Sequence, residues 1–157
     1  MNLAFGCDHA GYEDPEPYYA PALIAHLESQ GHTVQHVGTY GQGSVDYPDF
    51  AERVARLVLD RSADLGILLC GTGMGISIAA NRHHGIRAAA CVTEEMVRLA
   101  RDHNNANILC IGRRISTLDE CKHLIDIFLT TGFSGGERHV RRIEKMDRLG
   151  LPERTMS

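Results

Sequence analysis

Leu65-Gly66-Ile67-Leu68-Leu69, followed by Cys70-Gly71-Thr72-Gly73-Met74-Gly75 and then Ile76-Ser77-Ile78-Ala79-Ala80-Asn81, limits the fold of this chain more than any other stretch. An apolar run without polar alternation reads as a strand covered on both faces, the setting of a parallel sheet between two helical layers. The Ile/Ala segment reads as the first turns of a helix, so the glycines form a strand-to-helix loop. Such a loop can turn several backbone N–H groups into one small space, where they hold an anion. Cys70 and Thr72 add a thiol and a hydroxyl at its mouth. A loop that only cradles an anion has no need of a cysteine, whereas a site that moves protons beside a stabilised oxyanion can use one. The plain alternative is a tight turn whose glycines merely permit packing; it leaves Cys70 and Thr72 unexplained.

Two familiar glycine motifs do not fit. A P-loop ends in Gly-Lys-Ser/Thr, and here Gly75 is followed by Ile76. A dinucleotide fingerprint is G-x-G-x-x-G after the first strand, whereas this loop is G-x-G-x-G after the third. Both differences argue against nucleotide binding.

The rest of the chain alternates strand-like and helix-like runs. Strands are predicted at Asn2–Cys7, Thr33–Val37, Leu65–Cys70, Ala88–Cys91 and Ile108–Ile111. Helices are predicted at Ala20–Gln30, Asp49–Asp60, Gly75–Asn81, Thr93–Asp102, Thr117–Thr130 and Glu137–Leu149. In the second of these, Phe50, Val54, Leu57 and Val58 share one stripe, with Glu52, Arg53 and Arg56 off it. Short connections between alternating elements imply an α/β sandwich: a five-stranded parallel sheet with helices on both faces. At 157 residues the chain suits a single domain over residues 1–150, with a flexible tail at 151–157. A net charge of −4 argues against dedicated nucleic-acid or membrane-surface binding, and no apolar segment reaches the roughly 18 residues of a membrane span. The chain opens directly on a strand-like run, without the basic and apolar regions of a signal segment. Five cysteines with no C-x-x-C pair point to reduced thiols in a cytoplasm, and nine histidines form no H-E-x-x-H. Neither a metal nor a cofactor is implied.

A parallel sheet gathers its functional groups at the carboxyl ends of its strands. Asp8-His9 follows the first strand, Cys70-Gly71-Thr72 the third and Arg113-Arg114 the fifth, so all share one edge. His103-Asn104 ends the fourth main helix and therefore belongs at the opposite edge. There it either caps the helix and turns the chain, folds back, or serves a neighbouring subunit. Arg138 and Arg142, four residues apart, share a helix face flanked by His139 and Arg141. They form either a phosphate clamp or an ordinary solvated basic face.

Taken together, Gly6-Cys7-Asp8-His9-Ala10-Gly11, Asp46-Tyr47-Pro48, Cys70 through Ser77, Ala79-Ala80-Asn81, Gly85-Ile86-Arg87-Ala88, Ala100-Arg101-Asp102-His103-Asn104 and Arg138-His139-Val140-Arg141-Arg142 form an ordered set. In these motifs the chain resembles the type B ribose-5-phosphate isomerases, whose superfamily includes galactose-6-phosphate isomerase subunits. The resemblance runs from about Asn2 to Lys145. It implies a three-layer Rossmann-like sandwich and a metal-independent, cofactor-free aldose–ketose isomerase that works through a cis-enediolate. By the family's pattern Cys70 moves the proton between C2 and C1, and the amides of Gly71, Thr72, Gly73, Met74 and Gly75 hold the enediolate oxygen. Thr72 shuttles protons between oxygens, His103 opens the furanose ring and Asn104 binds sugar hydroxyls. Asp8 and His9 orient the substrate, while His9, Arg114, Arg138 and Arg142 grip the phosphate. The resemblance also implies a cytoplasmic homodimer or tetramer whose sites are shared between subunits.

The chain departs from that pattern at Tyr12-Glu13-Asp14-Pro15-Glu16-Pro17-Tyr18-Tyr19-Ala20-Pro21, a segment several residues longer than the family's usual one. Its three prolines are expected to delay or break the first helical turn. Its place after the Asp8-His9 loop makes it a wall beside the sugar, which leaves a hexose 6-phosphate of the allose or galactose type as an alternative substrate. Other relatives carry a carboxylate at the position of Ile76; this chain has Cys70 and an apolar Ile76, and so goes with the cysteine branch. A sugar-phosphate binding protein without turnover, or one subunit of a hetero-oligomeric isomerase, are the rival readings. Both leave the joint presence of Cys70, Thr72 and His103 without a purpose in one chain.

Overall fold

The computed structural model describes residues 1–150, and the predicted tail at 151–157 lies outside the described residues. Five strands, β1 (Asn2–Cys7), β2 (Thr33–His36), β3 (Leu65–Cys70), β4 (Ala88–Ala90) and β5 (Ile108–Gly112), form one parallel sheet in the order β2-β1-β3-β5-β4. Six helices connect and follow them: α1 (Tyr19–Ser29), α2 (Tyr47–Leu59), α3 (Met74–Ala80), α4 (Glu94–Asp102), α5 (Leu118–Thr130) and α6 (Glu137–Met146). A 3-10 turn, His9–Tyr12, follows β1.

All six residues of β3 are buried, as an uninterrupted apolar run at the centre of a two-faced sheet requires. One face carries Phe5, Ile67, Leu69, Leu109 and Ile111 against Leu23 and Leu27 of α1, Val97 of α4 and Leu124, Ile125 and Phe128 of α5. The other carries Ala4, Leu68, Ile108 and Cys110 against Val54 of α2 and Ile76 and Ala80 of α3. Helix α2 lies close on its face because Gly66 has no side chain: a Cβ there would stand 2.7 Å from Val54.

Element order and sheet direction follow the sequence reading, and the departures lie at the ends. Pro21 does not delay α1, which already begins at Tyr19. Proline is harmless in a first turn, where backbone N–H groups have no helical partner in any case. Strand β4 stops one residue before the predicted Cys91, although the Cys91 N–H still reaches the Cys110 carbonyl at 3.3 Å. Helix α6 ends at Met146 rather than Leu149.

The strand order reverses between β1 and β3, because β1 leads outward to β2 while β3 leads to the other half of the sheet. The crevice at such a reversal, above the carboxyl ends of the strands, is where open α/β sheets place their ligands. Asp8 and Cys70 stand at its two sides.

Candidate functional site

Gly73 makes the loop after β3 possible. Its backbone is left-handed, at φ 78° and ψ −16°, a conformation that glycine adopts at little cost. The turn carries two successive N–H groups back toward the strand end. Gly73 N–H donates to Cys70 Sγ at 3.2 Å, and Met74 N–H donates to Thr72 Oγ1 at 3.3 Å. The sulfur is thus fixed at the floor of the loop with a backbone dipole aimed at it. Thr72 and Met74 lie exposed at the mouth.

The neighbouring strand ends close the crevice. Asp8 N–H donates to the Leu69 carbonyl at 3.3 Å, which places the β1 loop beside the end of β3. The Asp8 carboxylate is buried and accepts from Ala10 N–H at 2.9 Å. Burial pushes its pKa up, against the pull of that hydrogen bond and of the nearby His9 and Arg114. Val45 N–H donates to His9 Nδ1 at 3.4 Å, so in the neutral ring Nε2 carries the proton and is the donor. After β5, Arg113 N–H binds the Cys70 carbonyl and Arg114 N–H the Gly71 carbonyl, each at 2.9 Å. The Arg114 guanidinium consequently lies over Gly71: a Cβ on that glycine would meet Arg114 Nη1 at 3.0 Å.

Asp8, His9, Cys70, Gly71, Thr72, Gly73, Met74, Gly75 and Arg114 are therefore brought to one edge, as their positions in the sequence predict. His103, Asn104, Arg138 and Arg142 are not among them. His103 terminates α4 at the amino edge of the sheet, with its N–H on the Leu99 carbonyl. Its ring stacks on His139 at 4.2 Å between centroids and 12° between planes. Arg138 Nε donates to His139 Nε2 at 3.3 Å, and Ser134 ties this corner to the Asp102 carbonyl through both its N–H (3.2 Å) and its hydroxyl (2.8 Å). Burial, then the charges of His103, Arg138 and Arg142, push the His139 imidazole down. Strand β5, five residues long, separates the two groups by about 16 Å. A cavity of about 650 Å³ opens at the amino edge, bordered by Asn81, His83, Arg87, Asn104 and Met146.

Three participants carry no role in the sequence reading. Glu13 is paired with Arg114, with both carboxylate oxygens 3.1 Å from Nε and a further contact from Oε1 to Nη2. Tyr47 covers the loop from α2, its ring where a Cβ on Gly75 would come within 2.7 Å. His139 backs His103. The Asp46-Tyr47-Pro48 and Arg138-His139 motifs marked two of these as notable without saying what they touch. Glu13 lies in the segment that departs from the family's pattern, but nothing local in that segment names Arg114 as its partner. Among the described residues no group of three or more His, Cys, Asp or Glu side chains is placed to hold a metal ion, and no helix is long and apolar enough to cross a membrane.

Known proteins share this arrangement from end to end. The sequence pattern of the Ribose/Galactose Isomerase family matches residues 3–146. Ribose-5-phosphate isomerase B of Escherichia coli is 42% identical over 142 residues, covering 90% of this chain and 91% of that protein. The Clostridium thermocellum ribose-5-phosphate isomerase B structure superposes with a TM-score of 0.88 at 44% identity, over 94% of this chain and 95% of that one. The Mycoplasma genitalium enzyme, solved with bound ribulose 5-phosphate, gives a TM-score of 0.85 at 42% identity, over 94% of each chain. With the sheet, the glycine loop and the match running over nearly the whole length, the chain belongs to the ribose/galactose isomerase family.

Proposed function

We propose that this sugar-phosphate aldose–ketose isomerase interconverts ribose 5-phosphate and ribulose 5-phosphate through a cis-enediolate, without a metal, with Cys70 as the base. The observation that carries the reading is the Cys70 sulfur, held by Gly73 N–H at the floor of the glycine loop. Cys70 thiolate takes the proton from C2 of the open-chain aldose, and the electron pair moves through C1–C2 onto the carbonyl oxygen. The resulting enediolate places negative charge over the loop, where its backbone N–H groups stabilise the developing charge. Cys70 then returns the proton to C1, while a proton passes from the C2 oxygen to the C1 oxygen by way of Thr72. His9 Nε2–H and the Arg114 guanidinium hold the phosphate at the same edge, and Asp8 orients the sugar.

His103, Asn104, Arg138 and Arg142 complete the site from a second protomer. Their separation from Cys70 by the length of β5 supports this division, because no side chain spans it. An exposed apolar surface supports it as well: Met74 and Ile78 on α3, Val92 after β4, and Met96 and Leu99 on α4 are all at least 40% exposed. These residues flank β4, a short edge strand with one side unpaired. Apolar side chains gathered beside an open strand edge mark an interaction surface, here for a second copy. In that assembly His103 opens the furanose ring, Asn104 holds sugar hydroxyls, and the two arginines join His9 and Arg114 on the phosphate. The protein acts as a homodimer, or as a tetramer of two such dimers, in a cytoplasm.

Proton NMR of ribose 5-phosphate and, in parallel, of hexose 6-phosphates in deuterium oxide tests the proposal. The wild-type protein is expected to exchange the C2 proton and form ribulose 5-phosphate after chelator treatment. Cys70→Ala is expected to lose exchange by about 10²–10⁴-fold, the size of a general base's contribution, while still binding the phosphate. Wild-type exchange rates in Cys70→Ala would remove Cys70 from the role. Exchange confined to hexose 6-phosphates would replace the pentose as substrate, and binding without exchange would leave a sugar-phosphate binding protein.

A further inference from the structure

The Arg114 guanidinium already has an anion beside it. Glu13 takes the Nε–Nη2 side of the guanidinium, and Nη1 is turned toward Gly71 and the glycine loop. The Glu13 side chain is not a free surface group swinging through solvent. Its N–H is tied to the Ala10 carbonyl at 3.4 Å, directly after the turn that carries His9. The residues that follow are anchored in turn. Arg113 Nη2 donates to the Pro15 carbonyl at 3.4 Å, and its guanidinium lies 4.1 Å from the centroid of the Tyr19 ring. Gln42 Nε2 donates to Asp14 Oδ1 at 3.3 Å and approaches the Tyr18 hydroxyl at 3.2 Å. The segment is thereby strapped across the end of β5 with one carboxylate directed at Arg114. The Arg114 hydrogen bond holds that carboxylate below the usual range, so it is charged at neutral pH.

We propose that Glu13 is a built-in counter-ion to the phosphate subsite, which weakens the hold of Arg114 on dianionic ligands and so sets the affinity for the phosphorylated sugar. The inference rests on the reading of Arg114 as a phosphate ligand. An arginine recognises phosphate through two parallel N–H donors and through its charge. Glu13 uses one such pair of donors and cancels the charge, leaving the Nη1 end of the fork for the incoming group. A dianion arriving at that end is attracted by Arg114 and repelled by Glu13. Glu13 acts through Arg114 and through the field at the subsite; it takes no part in proton transfer.

Calorimetric titration of the full-length protein with inorganic phosphate, together with kcat and KM for ribose 5-phosphate, tests this. Glu13→Gln removes the charge and keeps one acceptor oxygen for Arg114. It is expected to tighten phosphate binding by roughly threefold or more at low salt, within the range for a solvent-exposed charge pair. The gain should shrink as salt is raised. KM for the sugar phosphate should fall by a similar factor, with a smaller change in kcat. In an Arg114→Ala background the same substitution is expected to change phosphate affinity by a different factor, because the pair is coupled: the freed donors no longer contribute and only the repulsion by the Glu13 charge is relieved. Unchanged or weaker phosphate binding in Glu13→Gln would overturn the proposal and make Glu13 a mere orienting partner. Wild-type phosphate affinity in Arg114→Ala alone would instead remove Arg114 from the subsite, and with it the reading on which the proposal stands.

Discussion

Of five cysteines, burial pushes the Cys7 and Cys121 thiols up to about 12, the Cys91 thiol up to about 11 and the Cys110 thiol well above its ordinary value. Those four are core side chains that stay protonated near neutral pH, whereas Cys70 is the one whose sulfur meets the glycine loop. The sequence already marked this difference, because Cys70 adjoins the loop it serves and Asp8 and His9 adjoin the end of β1. Glu13 was not legible in the same way: its partner Arg114 is 101 residues away, and only the parallel alignment of β1, β3 and β5 brings them together. His139 gives a prediction at this scale. Its folded pKa is lowered, first by burial and then by His103, Arg138 and Arg142. The unfolded chain therefore binds a proton more readily, and stability must fall as pH drops through the ordinary histidine range near 6.5. Replacing His139 with Gln is expected to flatten that limb of a urea-melt pH series. An unaltered slope would assign the dependence to other groups.

Strand and helix identities were readable because each element keeps one period over its whole length. β3 shows no alternation and is buried on both faces, while α2 shows a single apolar stripe and lies on the sheet with Phe50, Ala51, Val54 and Ala55. Element ends were less readable, because they depend on hydrogen bonds made to distant segments. Pro21 is the clearest example: proline breaks helices as a residue type, yet its place in the first turn of α1 removes the reason. The glycine loop depends most on one backbone angle. Gly73→Ala forces a side chain into the left-handed region, at a cost of about 1–2 kcal/mol, and its Cβ would press on the Ile111 backbone, at 3.1 Å from the carbonyl carbon. The loop should yield before the strand, so turnover is expected to fall at least about tenfold as the proposed oxyanion donors shift. Stability by urea denaturation should fall only by the amount of the backbone penalty. Full activity in Gly73→Ala would mean that the loop's N–H groups do not stabilise the reacting oxygens.

The single sheet sorts the proposed site residues into two edges and keeps them about 16 Å apart. That separation was legible from the alternation of strands and helices, which put His103 and Cys70 at opposite strand ends. What closes the gap was not legible from spacing, because a subunit interface leaves no periodic signal of its own. On the proposed reading, the exposed Ile78, Met96 and Leu99 are the surface such an interface would cover. Ile78→Asp is expected to yield monomers in analytical ultracentrifugation and to remove isomerase activity, although it changes no residue of the site; an active monomer would refute a shared site. The most direct test mixes two inactive variants, Cys70→Ala and His103→Ala, under conditions that let subunits exchange. If each site takes Cys70 from one protomer and His103 from the other, a mixed dimer holds one intact site, and an equimolar mixture recovers about a quarter of wild-type activity. If both residues serve the same site from the same protomer, no combination restores an intact pair, and the mixture stays as inactive as its components.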